Sequence, residues 1–120
     1  DALLTKLLFE DYRLGLSAAL RAKNTVAIEL GERTLRMSDA IISIGKLAGN
    51  VVAVDDGSVS RRHAVITNVG HEVWIHDLTS TQGTYIDGIR VVGKRVLLGV
   101  HDVLLGDVKL RVSAREDLVA

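Results

Sequence analysis

Three short segments of the chain are rich in side chains that bind anions. The segment from Gly45 to Asn50 contains Lys46, residues 58–63 read Ser-Val-Ser-Arg-Arg-His, and residues 79–84 read Thr-Ser-Thr-Gln-Gly-Thr. Arg and Lys supply charge-assisted donors, Ser and Thr add hydroxyls, and Gly lets backbone N–H groups approach a ligand. Together these groups suit a tetrahedral oxyanion such as a phosphate. Turns contain Ser, Thr and Gly for conformational reasons too, so composition alone does not assign that role.

The chain after residue 23 alternates apolar and polar residues, which is typical of β-strands. Turn signals separate these stretches, and Asp87-Gly88 is the strongest signal for a two-residue hairpin. Short strands repeated at intervals of roughly 8 to 12 residues predict an all-β sandwich of two antiparallel sheets, whose loops gather at its ends. The predicted strands cover residues 25–30, 34–37, 41–44, 51–54, 64–66, 73–75, 84–86, 90–92, 96–98, 103–105 and 109–112.

The first 23 residues have a different pattern. Leu and Phe recur at spacings of three and four between Leu3 and Phe9, and an Ala-rich stretch follows from Ala18 to Ala22. This period predicts an N-terminal helical extension, weakened by Gly15, which costs about 1 kcal/mol inside a helix. Two interpretations remain open. The helix packs on its own or a neighbouring domain, or it binds a partner, including a second copy in a homodimer.

The composition of the chain excludes several classes of protein. The 120 residues fit one domain, and 15 Lys plus Arg against 15 Asp plus Glu leave no net charge to attract nucleic acid or anionic lipid. The absence of Cys excludes disulfides and thiolate metal sites. Apolar runs of about five residues are far shorter than the roughly 20 that span a bilayer. We therefore expect a soluble, cytoplasmic domain that needs no cofactor, and the Asp at position 1 indicates a piece of a longer protein.

Catalytic and metal-binding interpretations have weaker support. Ser60, His63 and Asp77 are the residue types of a hydrolytic triad, but Ser60 lacks the sequence context of a nucleophile elbow. His63 also lies only three residues from Ser60, which disfavours productive alignment. The histidines at positions 63, 71, 76 and 101 match no zinc-ligand spacing. We therefore expect a binding protein with no catalytic residue and no metal.

The order and spacing of the loop motifs resemble the forkhead-associated (FHA) domain family. The motifs are Ile44-Gly45-Lys46, Asn50, Val59-Ser60-Arg61-Arg62-His63-Ala64 and the stretch from Asp77 to Gly88, followed by His101-Asp102-Val103 and Leu105-Gly106. His101 stands where the family commonly has Gly. The resemblance covers residues 24–112, which leaves residues 1–23 as an extension and residues 113–120 as a C-terminal tail. It implies an FHA-type β-sandwich of about eleven strands that binds a phosphothreonine peptide and performs no chemistry on it.

The resemblance also implies which residues contact that peptide. Ser60, Arg61 and Thr81 would contact the phosphate. Lys46 stands where the family usually has an Arg that reaches the phosphate, and it keeps the charge without the planar fork. Gln82 stands where the family usually has an Asn that holds the peptide main chain, and its amide extends one methylene further.

Other loop residues are expected to support this site. By the same resemblance, Gly45, His63 and Gly83 would shape the loops that carry the contacting residues. The role of Arg62 remains open. Its side chain is either solvated, or it contacts residues next to the phosphothreonine and determines specificity for them.

Two functions follow from this pattern. The first is a phosphothreonine-peptide-binding module that acts in protein-kinase-dependent signalling or assembly. The second is an FHA-fold module for phosphate-independent protein–protein interaction or oligomerisation, which the departures at Lys46 and Gln82 motivate. Binding to nucleic acid is disfavoured, because the basic pairs are small and only four aromatic residues are present for stacking on bases.

Overall fold

The computed structural model describes residues 24–116, which form eleven β-strands. The helix predicted over residues 1–23 lies outside the described residues. In the described range, no helix is long and apolar enough to cross a membrane. In chain order the strands are β1 (Asn24–Leu30), β2 (Arg33–Met37), β3 (Ile41–Gly45), β4 (Val52–Ala53), β5 (Ala64–Val69), β6 (Glu72–Asp77), β7 (Thr84–Ile86), β8 (Ile89–Arg90), β9 (Lys94–Val96), β10 (Gly99–Leu105) and β11 (Val108–Glu116).

The strands form two sheets. A six-stranded sheet has the order β2-β1-β11-β10-β7-β8, and a five-stranded sheet has the order β4-β3-β5-β6-β9. All pairs in the larger sheet are antiparallel, but β4 runs parallel to β3, with Ile44 opposite Val52. The prediction of two purely antiparallel sheets was therefore wrong for the smaller one. The loop after β3 returns the chain to the level of Ile44 before β4 begins, so the two strands have the same direction.

Each predicted strand overlaps an observed one, but several bounds differ. The turn between β7 and β8 has positive φ at Asp87 (49°) and Gly88 (84°), as a two-residue type I′ hairpin requires. Strand β8 therefore begins directly at Ile89 instead of at residue 90. Strand β9 covers residues 94–96 instead of 96–98, and Leu97 is fully buried. Strand β11 continues to Glu116, so residues 113–116 pair with β1 and do not form the start of a tail.

Aliphatic side chains fill the space between the sheets. Alternate residues of each strand point inward, as Val26 and Ile28 do on β1 and Ile42 and Ile44 do on β3, and all four are 0% exposed. Burial of one such side chain contributes about 1.5 to 3 kcal/mol to stability. Trp74 is only half-buried and stays outside this core. The aliphatic core thus fixes the strands from which the polar loops extend.

The basic pair Lys94-Arg95 contacts the protein itself. The Arg95 guanidinium donates hydrogen bonds to the carbonyl oxygens of Ile89 (3.3 Å) and Arg90 (3.2 Å). These bonds join β9 to β8, which are edge strands of opposite sheets. The Lys94 ammonium lies 4.9 Å from the centre of the Trp74 ring, a cation–π contact. Arg95 therefore joins the edges of the two sheets, whereas Lys94 contacts a residue of its own sheet.

Candidate functional site

Backbone hydrogen bonds bring two of the three polar loops together. The loop after β3 begins at Lys46, whose N–H donates to the Ser60 carbonyl (3.0 Å), and the Leu47 N–H donates to the Arg61 carbonyl (3.3 Å). The Asn50 amide donates to the carbonyls of Leu47 (2.8 Å) and Arg61 (2.9 Å). The chain between β4 and β5 is thus fixed against the end of β3, with Lys46 beside Ser60 and Arg61.

Gly45 makes this close approach sterically feasible. A Cβ atom at position 45 would overlap the Arg61 carbonyl oxygen and lie 3.0 Å from the Asn50 amide nitrogen. Any side chain there would push the loop that carries Ser60 and Arg61 away from β3. The position of Gly45 therefore fits the supporting role predicted from the sequence.

His63 connects the second loop to the third. Its side chain is 0% exposed, and its Nδ1 accepts a hydrogen bond from the Ser60 backbone N–H (3.1 Å). Since Nδ1 accepts, the ring proton is on Nε2, which donates to the Gly83 carbonyl (2.9 Å). Burial lowers the pKa of His63, which favours this neutral form. His63 thus holds the loops of Ser60 and Gly83 together as an uncharged bridge.

Asp77 organises the third loop, a role that the sequence did not reveal. Its carboxylate accepts hydrogen bonds from the Ser80 hydroxyl (2.6 Å), the Ser80 N–H (3.2 Å) and the Thr84 hydroxyl (2.7 Å). The Ser80 hydroxyl oxygen in turn accepts from the Gly83 N–H (3.1 Å). Gly83 has a φ of 91°, a conformation that favours glycine. An Asp followed three residues later by Ser is a local signal for such a turn.

Ser60 and Thr81 meet where the second and third loops face each other. The Ser60 hydroxyl oxygen accepts a hydrogen bond from the Thr81 backbone N–H at 3.1 Å. Because the oxygen accepts this bond, the hydroxyl hydrogen remains able to donate to a further group. Ser60 and Thr81 therefore lie next to each other at the same end of the sandwich.

An open depression of about 530 Å³ lies between the three loops. All five residues predicted to contact a ligand line it, and no acidic residue does. Inside the described range, the cationic side chains of the lining form no ion pair. The lining also contains Arg62, whose role the sequence left open, and four residues that were not predicted to contact or support a ligand site. The full set is Lys46, Gly57, Ser58, Val59, Ser60, Arg61, Arg62, Thr79, Thr81 and Gln82.

Asp56 does not line the depression, but it binds Ser58, which does. Its carboxylate accepts hydrogen bonds from the Ser58 N–H (2.9 Å) and the Ser58 hydroxyl (2.7 Å). These bonds, together with the charge of Lys46, lower the pKa of Asp56. The Ser58 hydroxyl oxygen also accepts from the Asp107 N–H (2.8 Å), which ties this loop to the β10–β11 turn. Asp56 therefore helps to fix the loop that carries Ser58 at the edge of the depression.

The hydrolytic and metal-binding arrangements are not formed by these residues. His63 uses Nδ1 for the Ser60 backbone and Nε2 for Gly83, so neither nitrogen is left to activate the Ser60 hydroxyl. Asp77 contacts Ser80 and Thr84 instead of orienting His63. Over residues 24–116, no three His, Asp or Glu side chains converge as metal ligands.

A family model described as FHA domain matches residues 42–105, from β3 through β10. This segment is more than half of the chain and contains every residue that lines the depression. The chain belongs to the FHA domain family. The resemblance seen in the sequence is thereby confirmed, as is an all-β fold of eleven strands in two sheets.

Curated relatives of this FHA domain come from mycobacteria. The transcriptional regulatory protein EmbR of Mycobacterium tuberculosis is 38% identical over 52 residues, which are 43% of this chain and 13% of EmbR. The FHA domain-containing protein FhaB of the same species is 33% identical over 57 residues, which are 48% of this chain and 37% of FhaB. The chain thus spans only a small part of the length of these relatives.

Solved structures share the fold of this FHA domain. The structure of M. tuberculosis EmbR in complex with a low-affinity phosphopeptide aligns with a TM-score of 0.72 at 23% identity, over 80% of this chain and 26% of that one. The FHA domain of FhaA, solved in complex with the intracellular domain of another protein, aligns with a TM-score of 0.67 at 28% identity. That alignment covers 72% of this chain and 98% of the FhaA domain.

Proposed function

We propose that this FHA domain binds phosphothreonine-containing peptides and acts as an interaction module in protein-kinase-dependent signalling or assembly. One observation carries the proposal: the Ser60 hydroxyl is oriented by the Thr81 N–H beside exposed Lys46 and Arg61 side chains. A phosphate dianion is the ligand that such donors and cations favour most. The phosphopeptide in the EmbR complex, on the same fold, supports this assignment.

Each predicted contact residue has a role in this proposal. The Ser60 hydroxyl donates to a phosphate oxygen while it continues to accept from the Thr81 N–H. Arg61 and Lys46 supply positive charge, and the Thr81 hydroxyl adds a further donor. Exposed Gln82, next to Thr81 in the third loop, hydrogen-bonds the peptide main chain.

We infer that the site recognises the phosphorylated peptide without reacting with it. An attack by Ser60 would require a base to take its proton, but both nitrogens of His63 have other partners. Ser60 is therefore a hydrogen-bond donor in this proposal. His63 and Gly45 serve by holding the donor in place.

Isothermal titration calorimetry with a matched peptide pair tests the proposal. An oriented phosphothreonine peptide library first selects a sequence, and the selected peptide is then titrated with and without its phosphate. We expect binding of the phosphorylated form only. The Ser60→Ala variant should bind at least about 10-fold more weakly, which corresponds to about 1.4 kcal/mol. The control is Ser38→Ala, at an exposed position before β3, which should bind like the unaltered domain.

The outcome also decides between the two functions that the sequence left open. Equal affinity for the phosphorylated and unphosphorylated peptides would contradict phosphate recognition. Such a result would favour the phosphate-independent interaction module. That alternative was considered because Lys46 and Gln82 depart from the family pattern.

A further inference from the structure

Arg62 stands out among the residues that line the depression. It is exposed, it lies between Arg61 and fully buried His63, and it faces the same open space as Ser60. His63 is anchored by the hydrogen bonds of its backbone N–H to the Ile44 carbonyl (3.0 Å) and of its ring to Gly83. The backbone that carries Arg62 is therefore held in position, although its side chain reaches into solvent.

The guanidinium of Arg62 has no acidic partner among residues 24–116. The carboxylate of Asp56 accepts two hydrogen bonds from Ser58, and these bonds together with the charge of Lys46 lower the pKa of Asp56. None of the residues that line the depression is acidic. One unpaired arginine thus remains beside the cations assigned to the phosphate.

We propose that Arg62 binds an acidic side chain of the peptide close to the phosphothreonine, so that this domain prefers acidic phosphothreonine sequences. The inference rests on the proposed function and names the class of peptide that the site selects. The depression, at about 530 Å³, is larger than one phosphoryl group needs and accommodates neighbouring residues. Guanidinium and carboxylate groups match as planar partners through two parallel hydrogen bonds.

The expected preference is modest, because the pair forms at an exposed position. Exposed ion pairs contribute little and are screened by salt. We expect about a three- to fivefold higher affinity for the acidic peptide at low ionic strength. The preference should shrink as the salt concentration rises.

The test measures the affinities of a set of phosphothreonine peptides that carry Asp or Asn at one position at a time on either side of the phosphothreonine. Three proteins are compared: the unaltered domain, Arg62→Gln, and the control Arg36→Gln, which removes the same charge from an exposed position on β2. We expect the unaltered domain and Arg36→Gln to prefer Asp at one or more positions. Arg62→Gln should lose that preference and still bind the phosphorylated peptide in a phosphate-dependent manner.

Two results would overturn the inference. If all three proteins bind the phosphorylated peptides with no preference for Asp, the inference is wrong and the proposed function stands. If Arg62→Gln keeps the full preference for Asp, another residue is responsible. Binding that does not depend on the phosphate in any of the three proteins would instead overturn the proposed function itself.

Discussion

His63 and His101 occupy two regions of the domain and use the same imidazole ring in opposite ways. His63 is fully buried beneath the depression, whereas the His101 side chain on β10 is 24% exposed beside the β7–β8 turn. Both rings have a partner at each nitrogen. The difference lies in what those partners are.

The partners decide the charge that each ring favours. His63 Nδ1 accepts from a backbone N–H, which only a neutral ring can do, and burial lowers its pKa. His101 Nδ1 lies 2.7 Å from an Asp87 carboxylate oxygen, and its Nε2 lies 2.7 Å from the Leu98 carbonyl. Two acceptors suit a ring that carries both protons, so the hydrogen bond with Asp87 raises the pKa of His101. The candidate site thus rests on an uncharged bridge, and the turn at Asp87 rests on an ion pair.

The largest expected effect comes from removing the uncharged bridge. His63→Ala leaves the Ser60 N–H and the Gly83 carbonyl without their ring partner and opens a cavity. We expect a loss of about 3 kcal/mol in the free energy of unfolding, measured by chemical denaturation. Phosphopeptide binding should fall with it, because Ser60 and Thr81 are no longer held together. An unchanged free energy of unfolding would show that His63 does not bridge the loops.

A smaller effect is expected from removing the ion pair. Asp87→Asn keeps the turn, because Asn tolerates the positive φ at this position. The pKa of His101, followed by NMR, should fall toward the ordinary histidine value of about 6.5. Phosphopeptide affinity should be unchanged, since the turn is not part of the depression. A His101 pKa that is the same in both proteins would contradict the ion pair.

The two regions also predict opposite contributions to stability as the pH changes. The folded-state pKa of His101 is raised, so its contribution is fully present below about pH 6.5 and is lost as the pH rises through the folded pKa. His63 has a lowered pKa, so its contribution is present above about pH 6.5 and declines as the pH falls. The difference in the free energy of unfolding between the unaltered protein and Asp87→Asn isolates the contribution of His101. This difference should decrease as the pH rises through the folded-state pKa of His101, which lies above the ordinary value.

The positions of the strands along the chain could largely be predicted from the sequence, because alternation and Gly-containing turns act locally. The order of the strands within each sheet was not predicted. The Asp87-Gly88 hairpin is one example, since the turn residues themselves require the observed φ values. The parallel pairing of β4 with β3 was missed because the direction of β4 depends on where the loop after β3 brings the chain back to the sheet. The role of Arg95 was missed because its acceptors lie on a strand of the other sheet.

The five residues predicted to contact a ligand line one depression, and this convergence was accessible from the sequence through the spacing of the family motifs. Ser60 and Thr81 come together as that pattern implies. The function of Asp77 was missed, although its spacing from Ser80 is a local turn signal, because the same carboxylate also suits the orienting acid of a triad. The sequence could not show that Arg62 lacks an acidic partner. This becomes visible only when the loops are packed together, because no carboxylate then lines the depression.

The most direct measurement of the central claim is a ¹⁵N–¹H NMR titration of the domain with a phosphothreonine peptide and its unphosphorylated counterpart. When the Ser60 hydroxyl binds the phosphate, the chemical environment of its oxygen changes. This oxygen accepts the hydrogen bond of the Thr81 N–H, so the Thr81 amide reports the binding. We predict that the largest shifts with the phosphorylated peptide occur at the amides of Ser60, Arg61 and Thr81, with no shift for the unphosphorylated one. Identical shifts with both peptides, or binding that leaves the Thr81 amide unchanged, would contradict the account.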